Sequence, residues 1–106
     1  MRPAAIAVAL FALSVPQAGA GDAAAGREKA GQCKVCHGLD GIARMPIAPH
    51  IAGENEQYLV TQLRAFRTGK RQHEIMSVVA GGLSDEDIND LSAWYASIKF
   101  EVTVPE

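Results

Sequence analysis

The sequence predicts a small all-α domain of three to five helices, and two observations carry that prediction. Apolar side chains recur at helical spacing in two segments, Tyr58 to Phe66 and Ile88 to Ile98, and no stretch of the domain reads as a convincing sheet. Glycine, proline and capping residues then fall at the ends of those periodic stretches rather than inside them. At 106 residues there is room for one domain only.

The N-terminus stands apart from that domain. Arg2 gives a basic start, Ala4 to Val15 is apolar except for Ser14, and Ala18-Gly19-Ala20 ends the stretch with small residues. This order is that of a secretory signal peptide over residues 1–20, cleaved after Ala20, with residues 21–106 as the mature domain. The apolar run is about a dozen residues long, short of the ~20 needed to span a bilayer, so no membrane span is expected after cleavage. Losing Arg2 moves the formal charge from −2 to −3, an acidic balance that argues against nucleic-acid binding.

A first helix is expected from Ala23 to about Cys33, with the Asp22 carboxylate capping its free N–H groups. From Gly38 to Gly53 three glycines and two prolines, Pro46 and Pro49, read as an ordered loop. A second helix runs from about Asn55 to Thr68, with Tyr58, Leu59, Leu63 and Phe66 as its apolar stripe and Gly69 at its stop. A shorter helical segment covers His73 to Ala80. The last helix is capped by Ser84, opens on Asp85, Glu86 and Asp87, and carries Ile88, Leu91, Tyr95 and Ile98 on one face with Trp94 beside them. The tail from Phe100 to Pro105 alternates like a short strand but has no evident pairing partner.

The mature part holds few aromatic residues, Tyr58, Phe66, Trp94, Tyr95 and Phe100. A domain this small commonly leans on a cofactor, metal or disulfide. Cys33-Lys34-Val35-Cys36-His37 supplies the chemistry for the first of these. Cys-x-x-Cys-His places two thiols one helical turn apart, able to form thioethers with the vinyl edge of a haem, and sets an imidazole next to them for the iron. A Cys33–Cys36 disulfide would not need His37. A thioredoxin-like pair would want a βαβ setting, and a zinc site would need four ligands where only His50 and His73 remain at poor spacing. The expected cofactor is therefore one covalent haem c, held by Cys33 and Cys36, with His37 as an axial ligand.

An electron carrier needs a sixth ligand, and a thioether raises the reduction potential. Met76, far downstream, can return to the opposite face. Met45, only eight residues after His37, and the imidazoles of His50 and His73 are the alternatives.

Four stretches together resemble a bacterial class I cytochrome c: Cys33 to Gly38, Pro46 to Gly53, Tyr58 through Phe66 to Gly69, and Met76 with Leu83 to Ile88. The chain is most similar to small monohaem periplasmic members and to one half of their dihaem relatives. The resemblance implies the cytochrome c fold, in which the N- and C-terminal helices cross. It places Gly26 at the crossing, facing Trp94 and Tyr95, and Met76 at the position of the methionine ligand. It also makes the Pro49 carbonyl the acceptor for the second ring N–H of His37, a bond that would orient the imidazole. Glu54 departs from the family, which usually has Gln there, and His50 occupies a variable loop position.

The expected function follows: a periplasmic one-electron carrier without catalytic residues, docking transiently to a redox donor and acceptor. Lys34, Arg44, Arg64, Arg67, Lys70 and Arg71 hint at a basic docking face opposed to the acids of the last helix, although solvated surface charge explains them as well. A haem subunit bound stably to a dehydrogenase is the alternative the tail suggests. A ligand-binding or peroxidatic haem protein is the other, and it requires an open sixth site.

Overall fold

Capping chemistry sets most of the helix starts. The computed structural model describes residues 1–13 and 21–106, so the Ala18-Gly19-Ala20 cleavage motif lies outside the described residues. Five helices follow in order: α1 (Ala23–Lys29), α2 (Lys34–His37), α3 (Glu56–Thr68), α4 (Met76–Gly81) and α5 (Asp85–Ser97). No strand occurs among the described residues. Asp22 accepts from the Ala24 and Ala25 N–H groups at the head of α1. Asn55 accepts from Tyr58 N–H to start α3. Ser84 and Asp87 form a reciprocal capping box at α5. Gly69 ends α3 in the left-handed conformation, φ 80°.

Three elements differ from their sequence expectation. The first helix stops at Lys29 instead of running to Cys33, because the chain tightens there: Ala30 N–H bonds Arg27 O at 3.3 Å. A turn containing Gly31 follows, and glycine is the residue least held to a helix. The chain re-enters helix at Lys34, so the cysteines sit on a separate one-turn unit. α4 begins at Met76 instead of His73. His73 acts as its cap, with Nδ1 accepting from Ile75 and Met76 N–H at 3.1 and 3.2 Å and its own N–H donating to Ser77 Oγ. The tail forms no strand; Phe100 turns its ring against Gly53.

The framework is the crossing of α1 with α5. Gly26 is buried there, and a Cβ built on it would overlap the Asp90 carbonyl oxygen, so the two backbones touch. Polar contacts lock the crossing. Asp90, only 5% exposed, accepts from Asp22 N–H at 2.9 Å and from Lys29 Nζ at 2.7 Å, and Lys29 also reaches Asp87 at 3.1 Å.

These bonds hold the Asp90 carboxyl below the usual carboxylate range, chiefly through the Asp22 N–H and then Lys29. The Asp90 bond first, then Asp87, pushes Lys29 up to about 12. A depressed carboxylate contributes its stability above its unfolded pKa, ~3.9, and loses it as pH falls through the lower folded value. A raised lysine contributes below its unfolded value and loses that as pH rises toward 12. Asp90→Asn is therefore expected to cost roughly 1–3 kcal/mol at neutral pH. It should also flatten part of the acid limb of a denaturant-measured stability curve below about pH 4. An acid limb identical to that of the parent protein would contradict this.

The apolar core is small. Ala30, Leu59, Leu91 and Tyr95 form its buried cluster, with Cys33, Leu39, Ile51 and Leu83 packed partly against it. The α3 stripe splits accordingly: Leu59 and Phe66 are buried, whereas Tyr58 remains 50% exposed. That side of α3 borders a cleft.

Candidate functional site

α2 ends at a glycine for a steric reason. Gly38 has φ 76°, and a Cβ there would press on the Ile42 carbonyl oxygen. The chain can therefore turn sharply straight after His37. Two aromatic side chains of α5 hold that turn: Tyr95 Oη donates to Gly38 O and Trp94 Nε1 to Leu39 O, both at 2.9 Å. Burial pushes the Tyr95 phenol well above its ordinary value, which keeps it a hydrogen-bond donor. Sequence reasoning placed Trp94 and Tyr95 against Gly26 and missed this clamp. Its only trace in the sequence was two aromatics carrying donors on the buried side of an otherwise aliphatic stripe.

The following loop is fixed from both sides. Gly41 O accepts from Ile51 and Ala52 N–H, and Gly53 N–H donates to Tyr95 O at 2.8 Å. Between these anchors the Pro49 carbonyl oxygen meets His37 Nδ1 at 2.9 Å. With Nδ1–H donating there, the Nε2 lone pair of the buried ring remains available to a ligand.

Behind α2 lies a cleft of about 460 Å³. Cys33, Cys36 and His37 line it together, and Met76 at the start of α4 lines it as well. α3 contributes Tyr58, Leu59, Leu63 and Phe66. Three large apolar side chains that the fold leaves exposed, Tyr58, Ile47 and Ile75, also face this cleft. Apolar lining of this kind calls for a guest. Burial pushes the Cys33 thiol above its ordinary value.

The other sixth-ligand candidates are placed differently. Met45 is not part of the lining; its sulfur lies 3.3 Å from Cys36 Sγ. His50 and His73 do line the cleft, but each spends Nδ1 on backbone N–H groups, Ala43 for His50 and Ile75 with Met76 for His73. Among the described residues no three His, Cys, Asp or Glu side chains are grouped to hold a bare metal ion. Two thiols, one imidazole and one thioether around an apolar cleft instead suit a flat, thiol-reactive macrocycle whose metal needs two axial donors.

A small helical domain closed around one such cleft defines a covalent-cofactor redox fold, and comparison with known proteins agrees. The family model for cytochrome c matches residues 23–99. Cytochrome c-554(548) of Halomonas halodenitrificans is 47% identical over 81 residues, covering 74% of this chain and 98% of that protein. The crystal structure of reduced recombinant cytochrome c4 from Pseudomonas stutzeri superposes with a TM-score of 0.72 at 37% identity, over 78% of this chain and 48% of that one. A thiosulfate dehydrogenase electron acceptor of Thiomonas intermedia is 40% identical over 72% of this chain and 36% of its own length. The chain thus spans nearly all of the first relative and about half or less of the other two. It belongs to the cytochrome c family. Its cofactor is haem c, and it is an electron-transfer protein.

Proposed function

We propose that this protein is a periplasmic monohaem electron carrier in which Cys33 and Cys36 hold the haem by thioethers and His37 and Met76 are the axial ligands. One observation carries the reading: all four side chains line a single cleft, and Met45 does not line it. Nδ1 of His50 and of His73 accepts backbone N–H, which places the neutral ring's proton on Nε2 and takes away the lone pair a metal would need. When bound, haem c supplies a one-electron ferric/ferrous couple. The chain does the rest. Pro49 O fixes the ring of His37, the α5 clamp on Gly38 and Leu39 fixes the segment behind it, and the His73 cap fixes the turn that carries Met76. The apolar walls would cover much of a bound haem's faces. Held this firmly from both sides, the two donors move little between redox states. We assign electron transfer without catalysis, the role that the family match and the cytochrome relatives support.

Residues 1–20 are the export signal in this reading, and cleavage after Ala20 releases the domain to the periplasm. No helix among the described residues is long and apolar enough to cross a membrane. Redox partners dock transiently. Of the cations grouped as a docking face, Arg44 pairs with Asp40 and Arg67 with Asp85, so the face is partly neutralised and steering is modest. Similarity to a thiosulfate dehydrogenase electron acceptor favours one second reading, a haem subunit working with a dehydrogenase.

The full chain, expressed with its leader in a host that matures c-type haems, tests the proposal by mass and spectrum. The expected product starts at Gly21, gains the mass of one haem, keeps it after denaturation, and gives a reduced-minus-oxidised difference spectrum with sharp bands. Haem that extracts into organic solvent, or a product starting elsewhere, contradicts it. Size exclusion separates the two readings, because a stable partner shifts the native protein away from its monomer position.

A further inference from the structure

Haem c carries two carboxylates on the edge remote from its thioether-forming groups, and a negative pair beside an apolar cleft needs a counter-charge. Among the described residues Arg71 is the only arginine or lysine lining the cleft. Its placement is built rather than incidental. Its backbone N–H bonds Ala65 O at 3.0 Å, its Nη1 donates to Gln62 Oε1 at 2.8 Å, and its guanidinium lies 4.6 Å from the Phe66 ring centroid. Gln62 and Phe66 themselves line the cleft from α3. Three other cations, Lys29, Arg44 and Arg67, already hold carboxylates. Arg71, although fixed, has no carboxylate within salt-bridge distance among the described residues.

We propose that Arg71, braced by Gln62 and Phe66, is the residue that binds a haem carboxylate at the mouth of the cleft and raises the reduction potential. The proposal rests on the haem reading given above. A guanidinium matches a carboxylate by two parallel N–H bonds, and Gln62 engages only one of its nitrogens. A fixed positive charge beside the cofactor favours the reduced state, which carries one positive charge fewer on iron. It also keeps the neighbouring carboxylate ionised to lower pH. Besides Cys33, Cys36 and His37, the ionisable groups lining the cleft among the described residues are Glu54 and His50 from the loop, Tyr58 on α3, His73 ahead of α4 and Tyr95 on α5. Glu54 would repel a haem carboxylate, which strengthens the need for Arg71.

The test is potentiometry of the haem-loaded protein across pH at low ionic strength, comparing the parent with R71Q, R71K and R64Q. Arg64 is exposed on α3, the helix that carries Gln62 and Phe66, and does not line the cleft. R71Q should lower the midpoint potential and move the acid inflection of the potential–pH curve upward. A neighbouring charge moves a carboxyl by roughly one to three pH units, and an exposed arginine belongs near one. R71K should stay close to the parent and R64Q should superimpose on it. An R71Q curve that matches the parent overturns the proposal. If R71Q fails to retain haem, Q62M removes the brace and keeps the charge. A smaller shift in the same direction supports the proposal, and a curve identical to the parent overturns it. Absence of covalent haem from the parent protein is a separate result, and it would overturn the haem reading itself.

Discussion

Met76→Ala is expected to leave the haem attached and to lower its midpoint potential by a sizeable part of the ~0.8 V that axial-ligand choice spans. Thioether sulfur is a soft donor that stabilises the ferrous state. Its replacement by water or hydroxide stabilises the ferric state instead, and the vacated position admits small molecules. The reduced variant should therefore bind carbon monoxide readily where the parent protein does not. Met45→Leu is the matched control, because the Met45 sulfur sits beside Cys36 Sγ outside the cleft lining. Its spectrum and potential should be those of the parent. A ferric spectrum unchanged in Met76→Ala would remove Met76 from the iron. Carbon monoxide binding by the unaltered ferrous protein would point to a ligand-binding haem protein rather than a carrier.

Gly26→Val should destabilise the loaded protein by about 3 kcal/mol or more, at the upper end of overpacking effects. The reason is specific to the crossing. The nearest atoms to a Cβ at Gly26 are the Asp90 carbonyl oxygen and carbon, followed by Trp94 Cβ, so backbone must move rather than a side-chain tip. Separating α1 from α5 would stretch the Asp22–Asp90 and Lys29–Asp90 bonds as well. In a domain of this size such a loss lowers Tm by roughly 12–24 °C. Gly26→Ala gives a sharper sign test. Alanine in a helix is favoured over glycine by about 1 kcal/mol, so an exposed helical glycine would gain stability from that change. At this crossing the same substitution should lose it. Gly31→Ala provides the contrast in space alone, since Gly31 lies in the turn after α1 and a Cβ there meets nothing within 4 Å. Denaturant melts of the three variants, with m-values unchanged, would read the difference.

Much of this fold follows from local chemistry. Asp22, Asn55 and Ser84 each cap the helix they precede, because a side-chain oxygen two or three residues ahead of a free N–H needs no tertiary help. Gly69 stops α3 for an equally local reason, its positive φ. Where the periodicity misled, the competing interaction came from outside the local pattern. Tyr58 shares the α3 stripe with Leu59 and both line the cleft, yet Tyr58 stays half exposed whereas Leu59 also packs into the core cluster with Leu91 and Tyr95. His73 continues a helical pattern but caps the next helix instead, since its imidazole nitrogen can accept from two backbone N–H groups at once.

The sequence by itself determined the chemistry this protein has available: a Cys-x-x-Cys-His unit, a distant methionine and an all-helical domain, each encoded within a few consecutive residues. Only the tertiary structure decided which residues meet. Met76 lines the cleft and Met45 does not, Tyr95 and Trp94 reach back across the chain to the carbonyls behind His37, and Arg71 comes to rest against Phe66 beside the same cleft. The physical reason is range. Capping, helix period and thiol spacing act over three or four residues, whereas the clamp joins positions 55 and 57 apart in sequence. Contacts of that span exist only in the packed domain, where α5 lies against the chain behind His37.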